Sequence, residues 1–224
     1  MVIFGSGSFA KVLFLLFHKQ FDNEEQFFLI ENQGNRNIEN VDFWSKRNIN
    51  IYDSINNLNF SNFIVAIGNE FGFERLTIQE KLKEKAYQIK MHHFSSYIDQ
   101  NCKISDESII MPNVTIMPLS EISKGCIINT SATIDHEVFI DKGCHVMGSS
   151  YIAGRVKIGK WTTIGANATI FPDITIGENC FIGAGSIVNA NVPNNSIVVG
   201  QPAKFLKQSR NLPSKNFVLK NNNL

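Results

Sequence analysis

The sequence contains five histidines, and two of them stand close together, in Asp135-His136-Glu137 and Cys144-His145-Val146. Imidazole is the one side chain whose unperturbed titration falls near neutral pH, so it is the group best suited to exchanging protons with a reactant. His136 also has a carboxylate beside it in Glu137, which sets it apart from an ordinary surface histidine. A second signal opens the chain. Val2-Ile3-Phe4-Gly5-Ser6-Gly7-Ser8-Phe9-Ala10 reads as a strand, a G-x-G-x-x-A turn and a helix start. Small residues in such a turn let backbone amides approach a phosphate at the positive end of the helix. Glu31 follows the apolar strand Phe27-Phe28-Leu29-Ile30 and suits a hydrogen bond to a ribose hydroxyl or a base edge. Gly68 and Asn69 follow the strand Phe63-Ile64-Val65-Ala66-Ile67, at the kind of strand end where open α/β sheets hold ligands. The competing reading is a small α/β domain whose glycines only make tight turns.

The elements that must position the histidines follow from a repeat. Every sixth residue from Ile98 to Val188 is Ile or Val, through Ile110, Ile122, Ile134, Val146, Ile158, Ile170 and Ile182, and the frame does not slip. A helix needs apolar spacings of three and four and an isolated strand a spacing of two, so a sustained six fits neither. It fits a coil of short strands, three hexads to a triangular level, with levels stacked about 4.8 Å apart. The aliphatic residue then points inward. The position four residues later lies where the walls converge and must be small or branched, as in Cys102, Ser108, Val114 and Ala132. His136 and His145 fall in neither slot and are expected on the outer surface or at a corner. Eighteen residues above His136 comes Gly154, whose unobstructed N–H would suit an oxyanion donor beside whatever His136 activates. Gly148, Ala166 and Ala184 stack by the same arithmetic into a column of small residues. That column is either a shallow groove or simply what tight corners require.

The net charge of +1 disfavours general electrostatic binding to nucleic acid or an anionic membrane surface. No apolar stretch approaches the length of a membrane span, and Val2-Ile3-Phe4-Gly5 reads as a first strand and not a signal peptide, so a cytoplasmic location is expected. The four cysteines, Cys102, Cys126, Cys144 and Cys180, all occupy the small inward slot and form no C-x-x-C pair. They are expected to be buried, reduced and without metal. His18, His92 and His93 are read as structural or solvated, with His92 and His93 just ahead of the first frame residue.

The chain resembles the bacterial sugar acetyltransferases that include the sialic-acid O-acetyltransferases and the enzyme acetylating a UDP-linked bacillosamine precursor. The resemblance rests on the Ile3 to Val12 opening, Ile64 to Asn69, Asn129-Thr130-Ser131, Asp135-His136-Glu137, His145, Ala153-Gly154 and Val199-Gly200-Gln201-Pro202-Ala203-Lys204. It implies a Rossmann-like α/β nucleotide-sugar domain over residues 1–92, an all-β left-handed parallel β-helix over 93–205 and a C-terminal extension over 206–224. It further implies that His136 is a general base assisted by Glu137, that His145 helps place the thioester and that the Gly154 amide stabilises the oxyanion. The nucleotide-sugar would be held by Gly5, Ser6, Gly7, Glu31, Gly68, Asn69 and Asn129. Acetyl-CoA would lie along His145, Gly148, Ala166, Ala184, Gly200, Pro202 and Lys204, in a homotrimer with sites between neighbouring prisms. One departure is Phe9, where the family's front loop often carries a histidine.

The expected reaction is N-acetylation of a UDP- or dTDP-linked 4-amino-dideoxy sugar, with O-acetylation of a sialic acid or related sugar as the rival. A γ-carbonic-anhydrase-like metalloenzyme would need three converging histidines, and beyond the His92-His93 pair the repeat region has two. A purely structural solenoid gives no reason for His136, Glu137 and His145 to interrupt the pattern together.

Overall fold

The computed structural model describes residues 1–5, 7–17, 28–30, 38–47, 49–52 and 58–212. Ser6, Glu31, His18 and the end of the tail lie outside these residues. The chain divides into two compact units. One comprises Met1–Ile67 with Thr77–Ile89, and the other Gly68–Leu76 with the described residues from Lys90 onward.

The first unit is built on five parallel strands: β1 (Val2–Phe4), β2 (Phe28–Ile30), β3 (Asn50–Tyr52), β4 (Asn62–Val65) and β5 (Tyr87–Gln88). Their order across the sheet is β3-β2-β1-β4-β5. Helices α1 (Ser8–Phe17), α2 (Ile38–Ser45) and α3 (Gly72–Leu82) intervene along the chain. Central strands of a parallel sheet are covered on both faces, which is why β1 and most of β4 are continuously apolar and buried. Val2, Phe4, Phe63 and Val65 pack with Ile78, Leu82 and Ala86 into one core. α1 buries Ala10, Leu13 and Phe17, a spacing of three and four that marks one helix face. The sequence reading missed α2 and β3, which lie in an Asn-rich stretch without a clear period.

In the second unit the expected coil forms. Three faces are visited in turn, and each strand pairs in parallel with the strand eighteen residues on, as Ile134 does with Ile116 and Ile152. The first face runs from His92 through Ile110, Ile128, Val146 and Ile164 to Ile182. The second runs from Ile98 to Val188 and the third from Ile104 to Ile176. From Ile110 to Val188 the frame residues form a buried aliphatic ladder, each contributing about 1.5–3 kcal/mol of hydrophobic stabilisation.

Three details refine the repeat. The frame begins one hexad earlier than the aliphatic pattern shows, because His92 pairs with Ile110 in the frame position. His92 is half-buried, and burial, with the Lys90 charge adding to it, lowers its pKa to about 4. The slot four residues past each aliphatic is selected for chemistry as well as size. Ser108, Ser120, Cys126, Cys144, Ser150 and Thr162 each donate to the carbonyl fifteen residues ahead, as in Ser120 Oγ to Asp135 O at 2.6 Å and Cys144 Sγ to Gly159 O at 3.1 Å. All four cysteines are free, and three are buried. The corner itself turns on the third residue after the aliphatic, which has positive φ from Asn113 through Glu137 and Trp161 to Gly185. The final level is tighter: Ile182 pairs with Val198, sixteen residues on, and the strand Ser196–Gly200 is followed by an antiparallel partner, Ala203–Gln208.

Candidate active site

His136 lies in the turn that carries the chain from Thr133–Ile134 on the second face to Phe139–Ile140 on the third. Asp135 sets this corner. One of its carboxylate oxygens accepts the His136 N–H at 2.7 Å and the other accepts the Tyr151 hydroxyl at 2.7 Å. These two bonds hold the Asp135 carboxyl below its usual range, with the tyrosine contact the larger effect. The left-handed φ of 57° at Glu137 folds its carboxylate back, so that Glu137 Oε2 meets His136 Nδ1 at 2.9 Å. Since a carboxylate can only accept, the proton of the neutral imidazole sits on Nδ1 and Nε2 keeps its lone pair. That backbone conformation is a property of every corner, and here it is used to orient an imidazole. The side chains of His136 and Glu137 are 44% and 49% exposed.

Gly154 stands one level above and faces the ring. A β-carbon built there would lie 2.5 Å from His136 Nε2, so only glycine leaves the imidazole room. At the same step of other corners, an Asx side chain caps the amide, as Asn129 does for Thr130, Asp135 for His136 and Asp141 for Lys142, each at 2.7 Å. The residue before Gly154 is Ala153, which offers no acceptor. The Gly154 N–H has no hydrogen-bond partner among the described residues. An uncommitted backbone donor beside an imidazole lone pair is what stabilisation of a developing oxyanion requires. Arg155 and Asp173 close the corner above with a two-pronged ion pair at 2.6 and 2.8 Å.

His145 is placed otherwise. It points out of the first face, as its position in the repeat requires, yet it is only 4% exposed. The expectation of an open surface position fails because Gly68–Leu76 covers it. Nδ1 lies 3.2 Å from Asn69 O and Nε2 lies 3.4 Å from Asn129 Nδ2. A carbonyl can only accept, so Nδ1 carries the proton and Nε2 is the acceptor. Burial, with the nearby Arg75 charge adding to it, lowers the pKa of His145 to about 4. His145 is therefore neutral at working pH, a fixed acceptor and not a proton carrier.

The residues expected along acetyl-CoA gather at a further corner, between the first and second faces. Gly148, Ala166 and Ala184 each sit two residues past a first-face strand. The turn linking Ser196–Gly200 to Ala203–Gln208, with Gly200, Pro202 and Lys204 in or beside it, is tied to this corner: Gly200 N donates to Ser186 Oγ at 3.1 Å and Gln201 Nε2 to Gly185 O at 2.6 Å. A cleft of about 380 Å³ opens on the first face above His145, between Trp161, Thr163, Phe181, Leu206 and Arg210. A prism's corner between its second and third faces lies opposite its first face. One copy of the chain therefore does not bring His136 and Gly154 together with His145, Asn129 and the small-residue column.

Of the expected nucleotide-binding residues, Gly5 and Gly7 belong to the first unit, and Gly68, Asn69 and Asn129 to the second. Gly5 has φ +110°, and a β-carbon there would come within 2.9 Å of Ala66 O, so β1 and β4 leave the sheet side by side. Gly7, ahead of α1, faces open space.

Glu74 and Arg75 carry no motif in the sequence and read there only as two charges on a helix. Both are buried, at 1% and 0% exposure. Glu74 accepts two bonds from Arg210, at 2.7 and 2.8 Å. No signal in the sequence marks them, since their partners lie far along the chain. Among the described residues, no group of three His, Cys, Asp or Glu could hold a metal ion, and no helix is long and apolar enough to cross a membrane.

The geometry defines a solenoid protein of the hexapeptide-repeat class, and residues 137–172 match the bacterial transferase hexapeptide model. Residues 155–190 and 173–201 match the hexapeptide repeat of succinyl-transferase. Among solved structures, the chain is similar to a mutant of GDP-perosamine N-acetyltransferase from Caulobacter crescentus in complex with CoA and GDP-perosamine. Identity is 24%, the TM-score is 0.78, and 92% of this chain and 96% of that one are covered. The acetyltransferase domain of PglB from Neisseria gonorrhoeae matches with 22% identity and a TM-score of 0.78, over 92% of this chain and 98% of that one. WeeI from Acinetobacter baumannii follows the same fold, with 20% identity and a TM-score of 0.66 over 92% and 98%. The chain thus carries the transferase hexapeptide repeat and has the fold of these proteins along nearly its whole length.

Proposed function

We propose that the protein transfers an acetyl group from acetyl-CoA to the amino group of a nucleotide-linked 4-amino-dideoxy sugar. The observation that carries this reading is the pairing of His136, its Nε2 lone pair exposed, with the uncommitted amide of Gly154. His136 removes a proton from the acceptor amine as the nitrogen attacks the thioester carbonyl. The Gly154 N–H receives the charge that forms on the carbonyl oxygen. When the tetrahedral species collapses, the carbon–sulfur bond breaks and the His136 imidazolium returns the proton to the CoA thiolate. Glu137 holds the ring in the required tautomer and offsets its charge in between. His145 and Asn129 supply a fixed polar pair on the side that binds the substrates.

The first unit would hold the nucleotide, in the manner of a Rossmann-like half, with Gly5 and Gly7 at the turn and phosphates near the start of α1. Two features support this: the strand order β3-β2-β1-β4-β5, and the change of direction between β1 and β4, where such sheets bind ligands. The solenoid, wound left-handed as in the family the sequence resembles, would carry the transfer. A homotrimer would let one copy's His136 corner face another copy's His145 side, the completion that the separation of these groups on a single prism calls for. Acetyl-CoA would then run along Gly148, Ala166 and Ala184 toward Gly200, Pro202 and Lys204.

The test is thiol release from acetyl-CoA with UDP-, dTDP- and GDP-linked amino sugars and with free sialic acid, followed by mass analysis of the product. An added acetyl group on nitrogen of one nucleotide sugar is expected. Turnover on sialic acid alone would replace this reading with O-acetylation, and turnover on none would remove it.

A further inference from the structure

Arg75 is wholly buried, and proton transfer at His136 makes no use of it. Its Nε donates to Gly125 O at 2.9 Å, and one terminal nitrogen donates to Gly143 O at 3.0 Å and to Cys144 O at 3.2 Å. Gly125 and Gly143 are equivalent corner residues of successive levels, both at φ +69°. Gly72, at the start of α3, packs backbone to backbone on Gly143, leaving no room for a β-carbon on either residue. Burial lowers the Arg75 pKa to about 10, still well above working pH, so the side chain remains a cation. A buried cation costs several kcal/mol unless its donors are satisfied, and losing its partners is correspondingly destabilising.

The carbonyls it grips bear on His145. Cys144 O belongs to the residue that immediately precedes His145, and Arg75 lies on the segment that carries Asn69, whose carbonyl accepts the His145 Nδ1 proton. Arg75 thus ties together both parties to that bond. From the far end of the chain, Arg210 fixes the same segment through Glu74 and the Glu70 carbonyl.

We infer that Arg75, backed by the Glu74–Arg210 pair, is a positioning residue that locks the His145 imidazole in its Nδ1-protonated form and so keeps Nε2 a permanent acceptor for the Asn129 side-chain amide, holding Asn129 in place for a bound substrate. A ring free to turn over would present a donor as often as an acceptor, and its N–H would then meet the Asn129 amide N–H and push that side chain out of position. The kinetic consequence rests on the acetyl-transfer reading; the state of the ring does not.

Nitrogen-15 NMR of histidine-labelled protein reads the ring directly, with Arg75→Lys and Arg210→Gln beside the wild type. In the wild type, His145 is expected to show the Nδ1–H pattern without change from pH 5 to 9. Arg75→Lys, with a compact ammonium in place of the fork, is expected to give mixed tautomers. It should also raise KM for one substrate roughly tenfold while kcat changes less than about threefold, the signature of lost binding and not of lost chemistry. Arg210→Gln, which leaves Arg75 in place, is expected to show the same trend more weakly. A wild-type His145 that is protonated on Nε2 or titrates near pH 6.5 overturns the inference. So does an unchanged wild-type ring pattern in either variant, whatever the activity. If Arg75→Lys does not fold, Arg210→Gln decides alone by the same criterion. Absence of acetyl transfer by the wild type on every acceptor, with its ring in the expected Nδ1–H form, would instead count against the proposed reaction only.

Discussion

Two imidazoles of one solenoid have been given opposite circumstances. His136 stands at an open corner with Glu137 on one nitrogen and Gly154 facing the other. His145 is enclosed, with both ring nitrogens engaged and its charged form suppressed. The same side chain can therefore be a proton carrier or a rigid polar fixture, depending on whether its surroundings leave it solvent and a free lone pair. Sequence spacing alone gives the two histidines similar status; burial is what separates them.

That contrast breaks most visibly at the open corner. His136→Ala is expected to lower kcat by about a thousandfold, within the range of a lost general base, with substrate KM values nearly unchanged in steady-state assays. Near wild-type turnover would remove His136 as the base. Gly154→Ala should cost about a hundredfold in kcat, because the new methyl evicts the imidazole and crowds the oxyanion position. Its melting temperature should hardly move, as the displaced ring is exposed and can swing into solvent. Glu137→Gln should cost about tenfold, the rate equivalent of one weakened charge-assisted hydrogen bond.

The enclosed side is sharpened by pH. His145 and His92 each have pKa values lowered from 6.5 to about 4 in the folded chain. The unfolded chain takes up these protons first, so the stability they represent is complete above pH 6.5 and is lost as the pH falls toward 4. Replacing His145 with Asn should lower the stability difference between pH 7 and pH 4 by up to about 3 kcal/mol, measured by urea unfolding at each pH. An unaltered pH dependence would show that the ring is not held neutral.

The solenoid was legible because its rule is local. A hexad frame fixes which residues face inward, and eighteen-residue stacking then puts Gly154 over His136 by counting alone. The tie between Gly148, Ala166 and Ala184 followed from the same arithmetic. What escaped the sequence depends on segments meeting from far apart. Arg75 looks like any exposed helix charge until its guanidinium is seen among carbonyls fifty and more residues away. His145 reads as open surface until Asn69 is brought over it. The positive φ values fall on the third residue past the aliphatic, including Leu119, Trp161 and Arg155, because stacking imposes the turn on side chains that would not choose it unaided.

A pile of parallel strands ends in a row of unsatisfied amides and carbonyls that would template another copy just as each level templates the next. Here the last level, two residues short of the others, is followed by the reversed strand Ala203–Gln208, which bears Lys204 and Lys207. A strand running the wrong way, with cations along it, gives an incoming coil no matching register. On this face the repeat therefore ends in an edge that differs in direction and charge from every level beneath it.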